Sequence, residues 1–352
     1  MQQSYFLGGV TAGGFRTRFS EQIRKPGFYT YILKGGPGTG KSTLMKRVAE
    51  AFDGETVSLY HCSSDERSLD AVVLEDRGIV IVDGTAPHVF EAQYPLVSQE
   101  LVNLGACLDK KKLQLAGEEI RQQADENAQW HQRARQYVQA VTALHQDLTE
   151  LGHHALLQQK LMGFGERLAK RTLPKAGAAA GSISCRQLSA LTASGYQTQP
   201  LPPDYQITEL IDPLYTASDL LLRQLADQAC KRGMQVIASE NILFPEPLLE
   251  AVLLPERKLA YVARTPIRQA ALPNAMHMHM TRFYQKELLA QRKQRITFDR
   301  KAALALAEEA AGAIASALVV HDRLEAYYID ALDFDQVSRI GETLIREIRA
   351  QA

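Results

Sequence analysis

Two hydrophobic periods take turns along this chain. The run Tyr29-Thr30-Tyr31-Ile32-Leu33 is short and mostly apolar, as a buried strand is. Soon after it, Leu44, Met45, Val48 and Phe52 recur at helical spacing within 43–52 and give that segment one apolar face. Further strand patterns lie at 5–10, 56–61 and 78–82, followed by a long helical stretch over 93–168. The second half follows the same order, with strands at 187–192, 234–239 and 258–262 and a helical stretch over 274–351. Within the latter, 302–318 is rich in Ala, Leu and Glu and is the clearest helix. Strands that alternate with helices predict an α/β fold, a parallel sheet flanked by helices.

The two halves also share residues. Thr11-Ala12-Gly13-Gly14-Phe15-Arg16-Thr17 recurs as Thr192-Ala193-Ser194-Gly195-Tyr196-Gln197-Thr198. The segment 68–85 aligns without gaps on 248–265, and seven of the 18 pairs are identical, among them Leu69/Leu249, Arg77/Arg257 and Thr85/Thr265. Ser42 and Ser218, and His145 and His321, are each 176 positions apart, which is half of 352. Together these predict an internally duplicated chain: a module over 1–173, a loose Pro/Gly/Ala joint over 174–182 and a second module over 183–352, each ending in a long helical segment.

Between the strand at 29–33 and the helix at 43–52 stands Gly35-Gly36-Pro37-Gly38-Thr39-Gly40-Lys41-Ser42-Thr43. It fits G-x-x-x-x-G-K-[ST], the phosphate-binding P-loop (Walker A), in its proper strand–loop–helix setting. Glycines let the backbone turn its N–H groups toward an anion, and the helix start adds a positive dipole end. Lys41 is expected to reach the β- and γ-phosphates, and the Ser42 hydroxyl to ligate Mg2+. The apolar strand Ile79-Val80-Ile81-Val82 delivers Asp83 to the same sheet edge, where a Walker B acid would hold Mg2+ or its water. In the second half, Asp212-Pro213-Leu214-Tyr215-Thr216-Ala217-Ser218 stands at the loop's position and Ala263 at that of Asp83. The glycines, the lysine and the acid are all gone there, so one working nucleotide site is expected, in the first half.

No Glu follows Asp83, so the adjacent water-polarising acid of many ATP-driven motors is missing. Asp65 and His88 are candidates for catalytic work near the site. Asp65 reads equally as a base, a holder of a magnesium-bound water or a loop cap; His88 reads as an active-site loop residue or a turn residue. Arg264 is a weaker candidate for an arginine finger in cis. His277 and His279 would share a face on a strand and would not on a helix. No N-K-x-D segment is present, which favours ATP over GTP.

Composition narrows the partners. With 40 basic and 40 acidic residues the formal net charge is zero, so nucleic acid is not indicated. The four cysteines are scattered and suggest neither zinc nor a disulfide framework. The start lacks a signal-peptide pattern, and the longest largely apolar stretch, 310–320, falls short of the ~20 residues of a membrane span. A cytoplasmic protein without a membrane is the expectation.

The P-loop segment, His61-Cys62-Ser63-Ser64-Asp65, Ile81-Val82-Asp83-Gly84-Thr85-Ala86-Pro87-His88 and the ending His321-Asp322-Arg323-Leu324-Glu325-Ala326-Tyr327-Tyr328 together resemble a poorly characterised family of bacterial P-loop ATPases built as tandem modules. The resemblance covers nearly the whole chain. It implies ATP binding at 35–43 with Asp83 as the acid, and brings no substrate. Family members can keep a recognisable P-loop in the second half, and this chain departs there. A Mg-dependent ATPase is therefore expected, acting on an unknown protein or small-molecule partner. A small-molecule or nucleotide kinase and a non-catalytic nucleotide-sensing module are the alternatives.

Overall fold

The strand patterns assemble into two six-stranded sheets with one strand order. The computed structural model describes residues 2–17, 25–86, 89–174, 180–244, 246–264, 266–268 and 271–351. The first sheet runs β1 (Gln2–Phe6), β5 (Val57–His61), β6 (Leu69–Leu74), β7 (Ile79–Asp83), β4 (Tyr29–Lys34), β8 (Gln99–Asn103). The second runs β9 (Ser182–Cys185), β13 (Gln235–Asn241), β14 (Leu248–Leu254), β15 (Leu259–Arg264), β12 (Gln206–Ile211), β16 (Met276–His279). Pairing senses match position for position. Even the local irregularity recurs, at Tyr60/His61 in one sheet and Ser239/Glu240 in the other. The hairpins β2 (Gly8–Thr11)–β3 (Gly14–Thr17) and β10 (Ser189–Thr192)–β11 (Gly195–Thr198) close alike. Thr11 Oγ1 donates to the Gly14 carbonyl at 2.7 Å, and Thr192 Oγ1 to that of Gly195 at 3.0 Å.

Both sheets are mixed rather than parallel. β6 and β14 run against their neighbours on both sides. The cause is local. β6 joins β7 through one 3-10 turn, Glu75–Arg77, closed by Gly78 in the left-handed conformation. Parallel neighbours would need a crossover of a dozen or more residues. The strand pattern at 5–10 breaks at Leu7 into β1 and β2, and the long stretches expected to be helical each begin with a further strand, β8 and β16.

Eight helices are described: α1 (Lys41–Ala51), α2 (Lys110–Leu115), α3 (Gly117–Ala155), α4 (Gln158–Thr172), α5 (Thr216–Cys230), α6 (Lys286–Gln291), α7 (Lys293–Asp330) and α8 (Phe334–Ala350); α1 covers the outer face of the first sheet and α5 that of the second. The inner faces of the sheets share a core, with Tyr5, Tyr60 and Val80 in one cluster with Leu253, Ala260 and Val262. The long helices α3 and α7 lie antiparallel. Asn127 Nδ2 donates to the Ala317 carbonyl at 2.8 Å near one end, and Arg295 pairs with Asp147 near the other. Buried alanines on α7, including Ala303, Ala307 and Ala310, allow the close approach. By length and composition alone α7 could cross a membrane, with a window of mean hydropathy 1.7, although the 310–320 run within it is short. Its alanine face is used against α3.

The terminal helices are exchanged between the halves. α4, at the end of the first half, packs on α5 of the second; α8, at the end of the second, packs on α1 of the first. Matched backbone bonds mark the crossings. Asp109 N donates to Ala331 O at 2.7 Å and Asp333 N to Cys107 O at 2.9 Å; Gln285 N donates to Ala155 O at 2.9 Å and Leu157 N to Phe283 O at 2.8 Å.

Candidate functional site

The loop 35–40 leaves the C-terminal end of β4 and enters α1 at Lys41. Gly38 and Gly40 have φ of 67° and 83°, a left-handed geometry that disfavours any side chain with a Cβ. Thr39 Oγ1 donates to the Gly36 carbonyl at 2.9 Å and pins the loop from inside. Lys41 Nζ folds back to the carbonyls of Gly35 and Gly36 at 3.1 and 2.8 Å. It also stands 3.7 Å from Asp83 Oδ2, because β7 pairs with β4 and sets Asp83 opposite Leu33. Asp83 Oδ1 is occupied by the Thr85 N–H and hydroxyl at 2.8 and 2.6 Å, which leaves Oδ2 facing the loop. Ser42 Oγ accepts the Leu69 N–H at 3.0 Å and keeps a second lone pair. Gly35 to Thr43, Lys41 and Asp83 are thus brought to one place.

Asp65 is held by its own turn. Ser68 Oγ donates to it at 2.6 Å and Arg67 Nε at 3.0 Å. Partial burial acts to raise the Asp65 carboxyl, but these hydrogen bonds together hold it below its ordinary range. The geometry is that of the loop cap. His88 lies outside the described residues. Arg264 is bound elsewhere: with Arg268 it pairs to the buried carboxylate of Glu209 in the second sheet. His277 is on strand β16 and also approaches Glu209, at 3.3 Å; among the described residues no group of His, Cys, Asp and Glu is placed to hold a metal ion.

Three further residues reach the loop from the far end of the chain, on α7. Glu325 Oε1 accepts the Gly38 N–H at 3.0 Å. A Cβ at Gly36 would stand 2.5 Å from the Tyr328 ring, and one at Gly38 would stand 2.9 Å from Ile329. His321 lies 3.4 Å from the same Glu325 oxygen. His321, helped by the Gly38 N–H and Lys41, holds the Glu325 carboxyl below its ordinary range against partial burial. The recurrence of His145 as His321 and the place of His321 to Tyr328 in the resemblance hinted that this helix segment matters, but nothing local says which loop it covers.

The second half shows the same placement with different chemistry. Its loop between β12 and α5 has four residues, Asp212 to Tyr215, against six in the first half. The Asp212 carboxylate is buried and accepts the N–H groups of Leu214 and Ser218 at 3.0 and 2.8 Å, and the Tyr284 hydroxyl at 2.9 Å. Burial pushes that carboxyl up, against the pull of these bonds. The protein's own carboxylate and Tyr284 thus occupy the helix start. His145 on α3 covers this loop, stacked 4.9 Å from Phe244 with Nε2 2.9 Å from the Tyr215 hydroxyl; burial pushes it down to about 3, so it is neutral.

No protein-family model, no curated protein and no solved structure matches the chain.

Proposed function

We propose that this protein is a Mg-dependent ATPase with one nucleotide site, at Gly35 to Thr43, in a duplicated chain whose second loop has been closed by Asp212. The observation that carries this is Lys41 Nζ at 3.7 Å from Asp83 Oδ2, at the mouth of a loop with two left-handed glycines and at the start of a helix. The residues fit the ligand. The Gly38 N–H already binds an anion, the Glu325 carboxylate, so the cradle is polarised for one. Ser42 Oγ and Asp83 Oδ2 each keep an acceptor lone pair and are the oxygen donors a hard cation takes. Ser42 and Asp83 would hold magnesium, which when bound would supply positive charge to stabilise the phosphates during transfer. Lys41 supplies the mobile positive charge and the loop N–H groups hold the phosphates in line. The four free thiols accord with a cytoplasmic setting.

Asp83→Asn is the test of the assignment. Oδ1 keeps its Thr85 partners while the charge facing Lys41 is lost. Mg-dependent phosphate release is expected to fall about 100-fold or more with ATP affinity changed less than about tenfold, consistent with loss of a transition-state contact. Turnover equal to wild type in a phosphate-release assay rejects Asp83 as the metal-side acid.

Glu325 gives the site a link to the helices. Its carboxylate and a phosphate oxygen compete for the Gly38 N–H, and two anions cannot share it. Bound ATP therefore displaces Glu325 and, with it, the end of α7 that rests on the loop through Tyr328 and Ile329. This favours hydrolysis that moves helices. Glu325→Ala is expected to tighten ATP about tenfold, since it frees a charge-assisted hydrogen bond worth roughly 1.5–3 kcal/mol. Titration calorimetry reads this directly, and unchanged affinity removes Glu325 from the gate.

A further inference from the structure

The second half has lost its phosphate loop but carries another cationic site at the same edge of its sheet. A cavity of about 340 Å³ opens where β12 and β15 end, lined by Arg264, Arg268, Arg300, Asp212, Pro213 and Thr281 among others. Ligands of open α/β sheets bind at this carboxyl edge. Arg268 is only 6 % exposed, and its Nη1 has no hydrogen-bond partner among the described residues. Arg264 Nε is buried and equally without one among them. Both guanidiniums lean on a single carboxylate, Glu209, Arg268 through Nη2 at 2.8 Å. Arg300 arrives from α7 and adds a third positive group. Asp212, the acid in the lining, is already taken by two backbone N–H groups and Tyr284. Burying a guanidinium nitrogen without an acceptor is costly, and burial indeed holds Arg268 below its ordinary range despite Glu209.

We propose that this cavity binds the phosphate group of a small phosphorylated ligand. Three arginines line one space. A tetrahedral phosphate, with three terminal oxygens and up to two charges, can accept from all three, whereas a planar carboxylate offers two oxygens and one charge. The site is separate from the Gly35 to Thr43 loop and does not depend on what that loop does. Arg300 ties it to α7, the helix whose other end rests on the P-loop through Glu325.

Inorganic phosphate is the probe, and Lys41→Ala is the background in which it is used, because a P-loop also takes free phosphate. Titration calorimetry of the full-length Lys41→Ala protein is expected to give one phosphate per chain. Adding Arg300→Gln, at an exposed position on α7, is expected to weaken that binding at least tenfold while the far-UV circular dichroism and urea midpoint stay unchanged. Acetate at equal ionic strength is expected to bind at least tenfold more weakly than phosphate. No phosphate binding in Lys41→Ala, equal binding after Arg300→Gln, or acetate binding as well as phosphate each overturns the proposal.

Discussion

Lys41→Ala is expected to weaken ATP about 100-fold. Lys41 Nζ is tethered to the carbonyls of Gly35 and Gly36 and set against Asp83, so it is already aimed across the loop mouth. A charge-assisted bond to phosphate is worth roughly 1.5–3 kcal/mol, and an uncompensated Asp83 facing the phosphates adds repulsion in the same direction. Together about 3 kcal/mol, or two decades in Kd, are lost. Fluorescence titration with a labelled ATP measures it. The fold should be retained, because the hydrogen bonds and ion pair of Lys41 are to the loop and Asp83 and not to the hydrophobic core. A Lys41→Ala protein that binds ATP as tightly as the wild type would mean that the loop is not the nucleotide site. Lys41→Arg separates charge from shape: a guanidinium keeps the charge but cannot fold back as a point donor, so partial loss is expected.

How far this site could be read beforehand follows from how local each signal is. The glycines, Lys41 and Ser42 lie in one nine-residue run, so their spacing alone placed them together. Asp83 needed one inference more, that an apolar strand ends beside the loop, and the β4–β7 pair supplies it. Glu325 acts on Gly38 across 287 positions, and no periodicity carries information over that distance. The same holds for Asp212. Its composition shows that a phosphate would be repelled, but its closure of the helix start rests on Tyr284, 72 positions away. β6 and β14 were missed for a different reason. Each is buried along nearly its whole length and runs through one short turn into the apolar run of β7 or β15, so no break of a crossover's length sets it apart as a separate strand. With them went the mixed character of the sheets. The shared strand order of the halves was legible because paired segments kept identical residues at Leu69/Leu249 and Arg77/Arg257. The exchange of α4 and α8 was not, since an amphipathic helix shows that it has an apolar face and not whose face it meets.

That exchange makes the proposed nucleotide site depend on the last helix of the chain. Leu344 and Ile348 on α8 are 3 % and 0 % exposed, and they sit in the same cluster as Leu44, Met45 and Val48 of α1. Gly341 lets the helices touch there, since a Cβ would stand 2.7 Å from Leu44. Arg47 Nη1 also donates to Ser338 Oγ at 3.2 Å across the contact. Each large-to-Ala change in such a core costs ~2–5 kcal/mol, and the two positions are one turn apart, so their effects overlap. Leu344→Ala with Ile348→Ala is expected to remove at least ~4 kcal/mol, a large part of the ~5–15 kcal/mol that holds a domain folded. Urea unfolding should show a much lower midpoint, and ATP affinity should fall with it because α1 carries Lys41 and Ser42. Ser338→Ala removes only the Arg47 contact and is expected to shift the midpoint by less than about 1 kcal/mol equivalent. A double variant as stable as the wild type would show that α8 is not what holds α1 in place. The phosphate binding proposed for the loop would then belong to the first half alone, without the packing that now couples it to the last helix of the chain.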